Sequence, residues 1–215
     1  SFVENKRNMQ AKLDTQFSFP SELITSYQEI PLPEGFNLNL GIESDNKGLQ
    51  INANPVLYTA HLPRILDWLH GLDQPSPLEK EPCDIPVLLF DKELSFDRLL
   101  FHYDGTPAST KIIKHFLHLF SENLRDSKAT IISPAFIPKS KLKEEQEIIQ
   151  DVANYTAETS FIKFNFNRIG DFWSYAVKHQ KTLLVTTKNN QSDLAKVLFH
   201  FYKGGLWYDK LSFYL

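Results

Sequence analysis

The chain has 215 residues, with 23 Lys and Arg against 26 Asp and Glu, and a formal net charge of −3. Charge this close to balance, without local basic runs, supplies no global field for nucleic acid or an anionic membrane. One cysteine, Cys83, excludes an internal disulfide framework and any multi-cysteine metal site.

No apolar run approaches the ~20 residues needed to cross a bilayer, and no signal-peptide pattern opens the chain. A reducing, cytoplasmic setting is the expectation, with no nucleic-acid partner and no direct membrane insertion. The chain starts at Ser1 and its one methionine is Met9. A trimmed chain or a fragment of a longer one is expected.

In chain order, NKRNMQAKLDTQF (5–17) reads as a helix, and NLNLGIES (37–44) and KGLQINAN (47–54) as short strands around an Asp-Asn-Lys-Gly turn. LPRILDWLHGL (62–72) is a short helix with proline near its start and Gly71 near its end. The Pro-, Glu- and Lys-rich DQPSPLEKEPCD (73–84) links it to a strand-like IPVLLF (85–90), and a domain boundary is placed near residue 92.

Beyond that point strand and helix alternate. FDRLLFHY (96–103) is a buried strand, and Ser109, a candidate N-cap, opens a helix whose apolar residues Ile113, Phe116, Leu117 and Phe120 recur at helical spacing. ATIISPAF (129–136) is a second strand, a charged helix follows at 140–158, and TSFIKFNF (159–166) is a third strand. A short amphipathic helix at 170–180, a strand KTLLVTT (181–187), a helix SDLAKVLFHFY (192–202) and a last strand DKLSFYL (209–215) complete the chain. This alternation implies an α/β fold for 96–215, a doubly wound parallel sheet of five strands with helices on both faces. Ligands in such sheets bind beyond the carboxyl ends of the strands, where strand order reverses. The Asp104-Gly105-Thr106 turn and Thr186-Thr187-Lys188 lie at two such ends.

The residues RLLFHYDGTPAS (98–109) resemble the opening strand and turn of the universal stress protein family, in which a strand leads into Asp-Gly-Ser and a downstream serine. The order of elements from 96 to 215 is similar to that family's adenine-nucleotide alpha-hydrolase-like sheet of five strands. IPVLLF at 85–90 looks like the final strand of a preceding copy. The resemblance therefore implies a tandem: residues 1–91 a reduced or N-terminally truncated repeat, 92–215 a fuller one. By the same resemblance the last strand, 210–215, should pair either with 85–90 of this chain or with its counterpart in a second copy.

Nucleotide-binding members of the family place an acid at the end of the first strand and wrap the phosphates in a glycine-rich loop after the fourth. Glycine serves there because backbone amides must approach phosphate oxygens closely. The resemblance carries this role to Asp104, Gly105, Thr106, Ser133, Thr187, Lys188 and Ser192, with ATP or AMP as the cofactor. Against it, no glycine stands between Gly170 and Gly204, so loss of the phosphate cradle is expected.

Each candidate also has a plainer reading. Asp104-Gly105 can be a strand-to-helix turn, and Lys188 to Ser192 a solvated loop with Ser192 as helix N-cap. His115 and His118 share a helix but gain no third metal ligand from the sequence, and His102 reads as a packed strand residue. No nucleophile elbow, phosphate-loop or dinucleotide fingerprint is present, and Cys83 lies in a linker beside acids. The expectation is a non-catalytic stress-response or signalling module that acts by self- or partner association. An adenine-nucleotide sensor using Asp104 and a cytoplasmic regulatory domain of a larger transporter are the alternatives.

Overall fold

The computed structural model describes residues 42–45, 48–51, 57–91, 93–166, 168–201 and 208–215; the helix expected at 5–17 lies outside them. β1 (Ile42–Asp45) and β2 (Gly48–Ile51) form an antiparallel pair, Ile42 opposite Ile51. Seven further strands form one sheet: β3 (Tyr58–His61), β4 (Val87–Phe90), β5 (Arg98–His102), β6 (Lys128–Ser133), β7 (Glu158–Lys163), β8 (Leu183–Val185) and β9 (Ser212–Tyr214). Their spatial order is β3-β4-β9-β8-β5-β6-β7.

The five strands expected beyond residue 92 are all present and mutually parallel, in the order β9-β8-β5-β6-β7. The sheet is wider than five strands because β4 adds antiparallel to β9, Leu88 beside Tyr214 and Leu89 beside Phe213. β3 then adds parallel to β4. The boundary expected near residue 92 falls in the connection between β4 and β5.

Side chains alternate across this sheet with a period of two, as the pleat requires. Leu99, Phe101, Leu183, Val185, Leu88, Phe90 and Tyr214 enter one core, and Leu100, Leu184, Leu89, Ile132 and Phe213 enter the other. The first core is closed by α2 (Pro107–Leu119) and α3 (Leu142–Tyr155) through Ile113, Phe116, Ile148 and Val152. The second is closed by α1 (Leu62–His70), α4 (Ile169–Lys178) and α5 (Gln191–Phe201) through Ile65, Leu66, Phe172, Trp173, Leu194 and Leu198. Strands buried on both faces read as continuous apolar runs, which is why VLLF and LLV stand out in the sequence.

Two expected caps move. Thr106, not Ser109, is the N-cap of α2: its hydroxyl oxygen accepts from the Ser109 amide at 3.2 Å. Pro107 takes the first helical position, where its missing N–H costs nothing. Ser192 does not cap the last helix either. A 3-10 turn over Lys188–Asn190 precedes α5, which starts at Gln191, so Ser192 is an exposed residue of its first turn. The histidine His115 is a tie between layers, with Nδ1 2.8 Å from the buried Tyr214 hydroxyl on β9. Among the described residues no three His, Cys, Asp or Glu converge in a way that could hold a metal ion, and no helix is long and apolar enough to cross a membrane.

One buried cation gives the fold a measurable pH signature. Lys181, just before β8, is buried and its ammonium donates to the Thr130 hydroxyl at 2.7 Å. Burial, aided by the charge of Arg98, pushes this lysine down to about 8 from 10.5. Between those two values the unfolded chain holds a proton that the folded one has released. Stability therefore rises with pH from about 8 and is lost as pH falls back through that value. Near pH 10 the buried tyrosines begin to act in the opposite sense. Urea midpoints across pH 7–10 should climb in the native protein and stay flat in Lys181→Met; an equal climb in both would assign the effect to another group.

Candidate functional site

Strand order reverses between β5 and β8, because the chain leaves β5 for β6 on one side and returns to β8 on the other. The carboxyl ends of these two strands form the crevice where sheets of this type hold ligands. β5 delivers His102, Tyr103 and Asp104 there, and β8 delivers Thr186, Thr187 and Lys188.

The Asp104 turn is internally satisfied. Asp104 Oδ1 accepts from the Thr106 amide at 2.9 Å and from the Thr106 hydroxyl at 2.6 Å. The Asp104 amide donates to Ser109 Oγ at 3.1 Å, and Ser109 Oγ donates to the His102 carbonyl at 3.1 Å. Gly105 supplies the positive φ of 81° that the turn needs and an L side chain resists. One carboxylate oxygen is thus committed to shaping the start of α2.

Beside it, His102 Nδ1 lies 3.0 Å from Thr186 Oγ1, and its ring packs on Phe172 with centroids 4.2 Å apart. Burial lowers the pKa of this imidazole, while the Asp104 charge acts the other way. A neutral ring is the form that fits. Asn190 Nδ2 donates back to Thr186 Oγ1 at 3.0 Å and to Thr187 Oγ1 at 3.3 Å, which folds the loop after β8 into its 3-10 turn.

Lys188 is the most heavily engaged residue of the crevice. Its ammonium donates to Glu79 Oε1 at 2.8 Å, to the Cys83 carbonyl at 2.8 Å and to the Ile85 carbonyl at 2.5 Å. The Lys188 and Glu79 side chains are 12% and 2% exposed, so this ion pair is buried. Gln191 completes the tie by accepting from the Glu79 amide at 3.0 Å. Burial raises the Glu79 carboxyl, opposed by the hydrogen bond and charge of Lys188. Residues 79–85 thereby form a strap across the loop that follows β8.

Ser133 ends β6 and is fully buried, its hydroxyl donating to Glu145 Oε2 at 2.5 Å, where Lys163 Nζ also donates at 2.5 Å. The seven expected residues thus lie along one edge of the sheet but do not converge. Asp104, Gly105 and Thr106 form one turn, Ser133 joins a buried cluster with Glu145, Thr187 accepts from Asn190 within its own loop, Lys188 is held by the strap, and Ser192 faces solvent. Sequence reasoning missed Glu79. It is one of four acids in the linker-like stretch 73–84, and nothing local sets it apart from Asp73, Glu81 and Asp84.

No protein-family model matches the chain, and no curated protein matches it. Solved structures do overlap part of it. A universal stress protein crystallised in complex with cAMP is 12% identical, covers 43% of this chain and 72% of its own, and gives a TM-score of 0.35. A protein from Mycobacterium tuberculosis H37Rv is 13% identical, with 42% and 69% covered and a TM-score of 0.33. A member of the universal stress protein family from Burkholderia pseudomallei is 11% identical, with 43% and 81% covered and a TM-score of 0.31. The α/β fold assigned to this chain rests on its own strand order and register.

Proposed function

We propose that this chain is a non-catalytic signalling or stress-response module of the universal-stress-protein type, in which the phosphate end of the ligand crevice is closed by the chain itself. The observation that carries this reading is the three-oxygen capture of Lys188 by Glu79, Cys83 and Ile85. A phosphate at the start of α5 would need backbone amides approachable without Cβ atoms and a free cation. The connection from Thr186 to Asn190 has no glycine. Its lysine already neutralises a buried carboxylate, so an anion would have to leave Glu79 charged and unpaired.

Among the described residues of this crevice no nucleophile–base pair is formed: His102 is engaged with Thr186 and packed on Phe172, and Asp104 Oδ1 is held in its own turn. Association with itself or a partner is the remaining role. β9 has β8 on one side and β4 on the other, so association is assigned to surfaces other than the last strand.

Thermal unfolding with and without millimolar ATP, ADP, AMP and cAMP tests the reading. The midpoint should not move. A nucleotide at ~100 times its dissociation constant would add about 2.7 kcal/mol of stability. A shift of that size that disappears in Asp104→Ala would make the chain a nucleotide sensor instead.

A further inference from the structure

At the other end of the sheet, a buried cation has no counter-charge. Lys181 precedes β8 at the amino edge, is 8% exposed, and makes no ion pair with the described residues. Its ammonium has one acceptor, the Thr130 hydroxyl on β6 at 2.7 Å, and Thr130 is buried too. The burial is fixed by the backbone. The Lys181 amide donates to the Ala176 carbonyl of α4 at 2.9 Å, and the Lys181 carbonyl accepts from the Tyr208 hydroxyl at 2.9 Å. With both backbone groups engaged, the residue is held where an ammonium is least favoured.

The charge beside it has the same sign. Arg98 opens β5, its carbonyl accepts from the Thr182 amide at 2.8 Å, and its Nη1 donates to the His179 carbonyl at 3.2 Å. Arg98 is therefore fastened to the residues on either side of Lys181, and its guanidinium is exposed. Burial and this cation together bring Lys181 down to about 8 from 10.5. At that pH it holds on the order of 100-fold more free amine than a lysine of ordinary basicity. A desolvated amine next to a second cation is the arrangement that makes a lysine nucleophilic.

We propose that Lys181 is a carbon dioxide site, at which the side-chain nitrogen forms a carbamate held by Arg98 and Thr130. The nitrogen lone pair forms a bond to the carbon of CO2. One carbon–oxygen π bond opens onto oxygen as a carboxylate, and the surplus proton on nitrogen leaves to solvent. The product reverses the sign of the site. A cation repelled by Arg98 becomes an anion attracted to it. The Thr130 hydroxyl, which accepts from the amine, can donate to a carbamate oxygen instead. Burial also selects the electrophile: it shuts out bulky acyl donors and larger carbonyl compounds, whereas carbon dioxide is small, linear and apolar. This site stands apart from the crevice at the carboxyl ends of β5 and β8, and does not depend on it.

Trapping with an ethylating oxonium salt, read by peptide mass spectrometry on the full chain, tests this. In isotope-labelled bicarbonate buffer at about pH 8, Lys181 should carry the ethylated carbamate and the exposed Lys178 should not. A short peptide in the same tube shows through its α-amino group that the trap works. Arg98→Gln changes an exposed side chain, leaves the chain folded, and should lower the Lys181 label about fivefold. Unfolding in guanidinium should abolish the preference for Lys181, because the chain then restores its ordinary basicity. No label at Lys181 beside a labelled peptide, equal label at Lys178, a preference that survives unfolding, or a label indifferent to Arg98→Gln would each overturn the proposal. A rise in stability in bicarbonate without any label would overturn it too, since an anion merely bound by the two cations gives that result.

Discussion

Lys188→Met is expected to destabilise the fold by about 3–5 kcal/mol, the cost of leaving a buried carboxylate without its partner. Glu79 is 2% exposed and takes its charge compensation from Lys188 at 2.8 Å. The same substitution strips the donor from the Cys83 and Ile85 carbonyls. Part of the loss should return in the double variant Glu79→Gln with Lys188→Met, because a neutral amide is cheaper to bury than an unpaired charge. Urea unfolding would register a lowered midpoint at unchanged slope. A single variant as stable as the native protein would mean that water, not the strap, satisfies Glu79.

Phe116→Ala is the second large loss, again about 3–5 kcal/mol for a buried aromatic. Phe116 is fully buried on α2 and its ring centroid lies 5.1 Å from Phe120, 5.1 Å from Tyr214, 5.6 Å from Phe101 and 6.3 Å from Phe96. It therefore packs α2 onto both β5 and β9, and a cavity there loosens the last strand together with the first of the parallel set. Phe116→Leu should recover much of the stability, since it restores most of the apolar volume. If both variants lost the same amount, the edge-on ring geometry rather than the filled space would be what matters.

These two sites mark the limits of what the sequence could convey. β4, β5, β6 and β8 were legible because burial on both faces leaves uninterrupted apolar runs. β3 was not, since Tyr58–His61 is four residues long and buried on alternate positions only. Thr106 and Ser109 both have capping chemistry, and what chose Thr106 was the Pro107 that follows it, fixed at the first helical position. Asp104 and Gly105 were placed correctly at the end of β5, yet the turn bonds that occupy Asp104 Oδ1 are a matter of geometry.

Glu79 and Lys188 are 109 residues apart, so no local pattern could pair them.

The closed crevice is tested most directly by hydrogen exchange of the full chain, read by mass spectrometry with and without saturating ATP. Peptides covering 79–85 and 186–192 should be protected to the same degree in both conditions, because the strap already holds the loop after β8. New protection at 104–106 and 186–192 on adding ATP, with faster exchange at 79–85, would show the strap giving way to a nucleotide and would contradict this account.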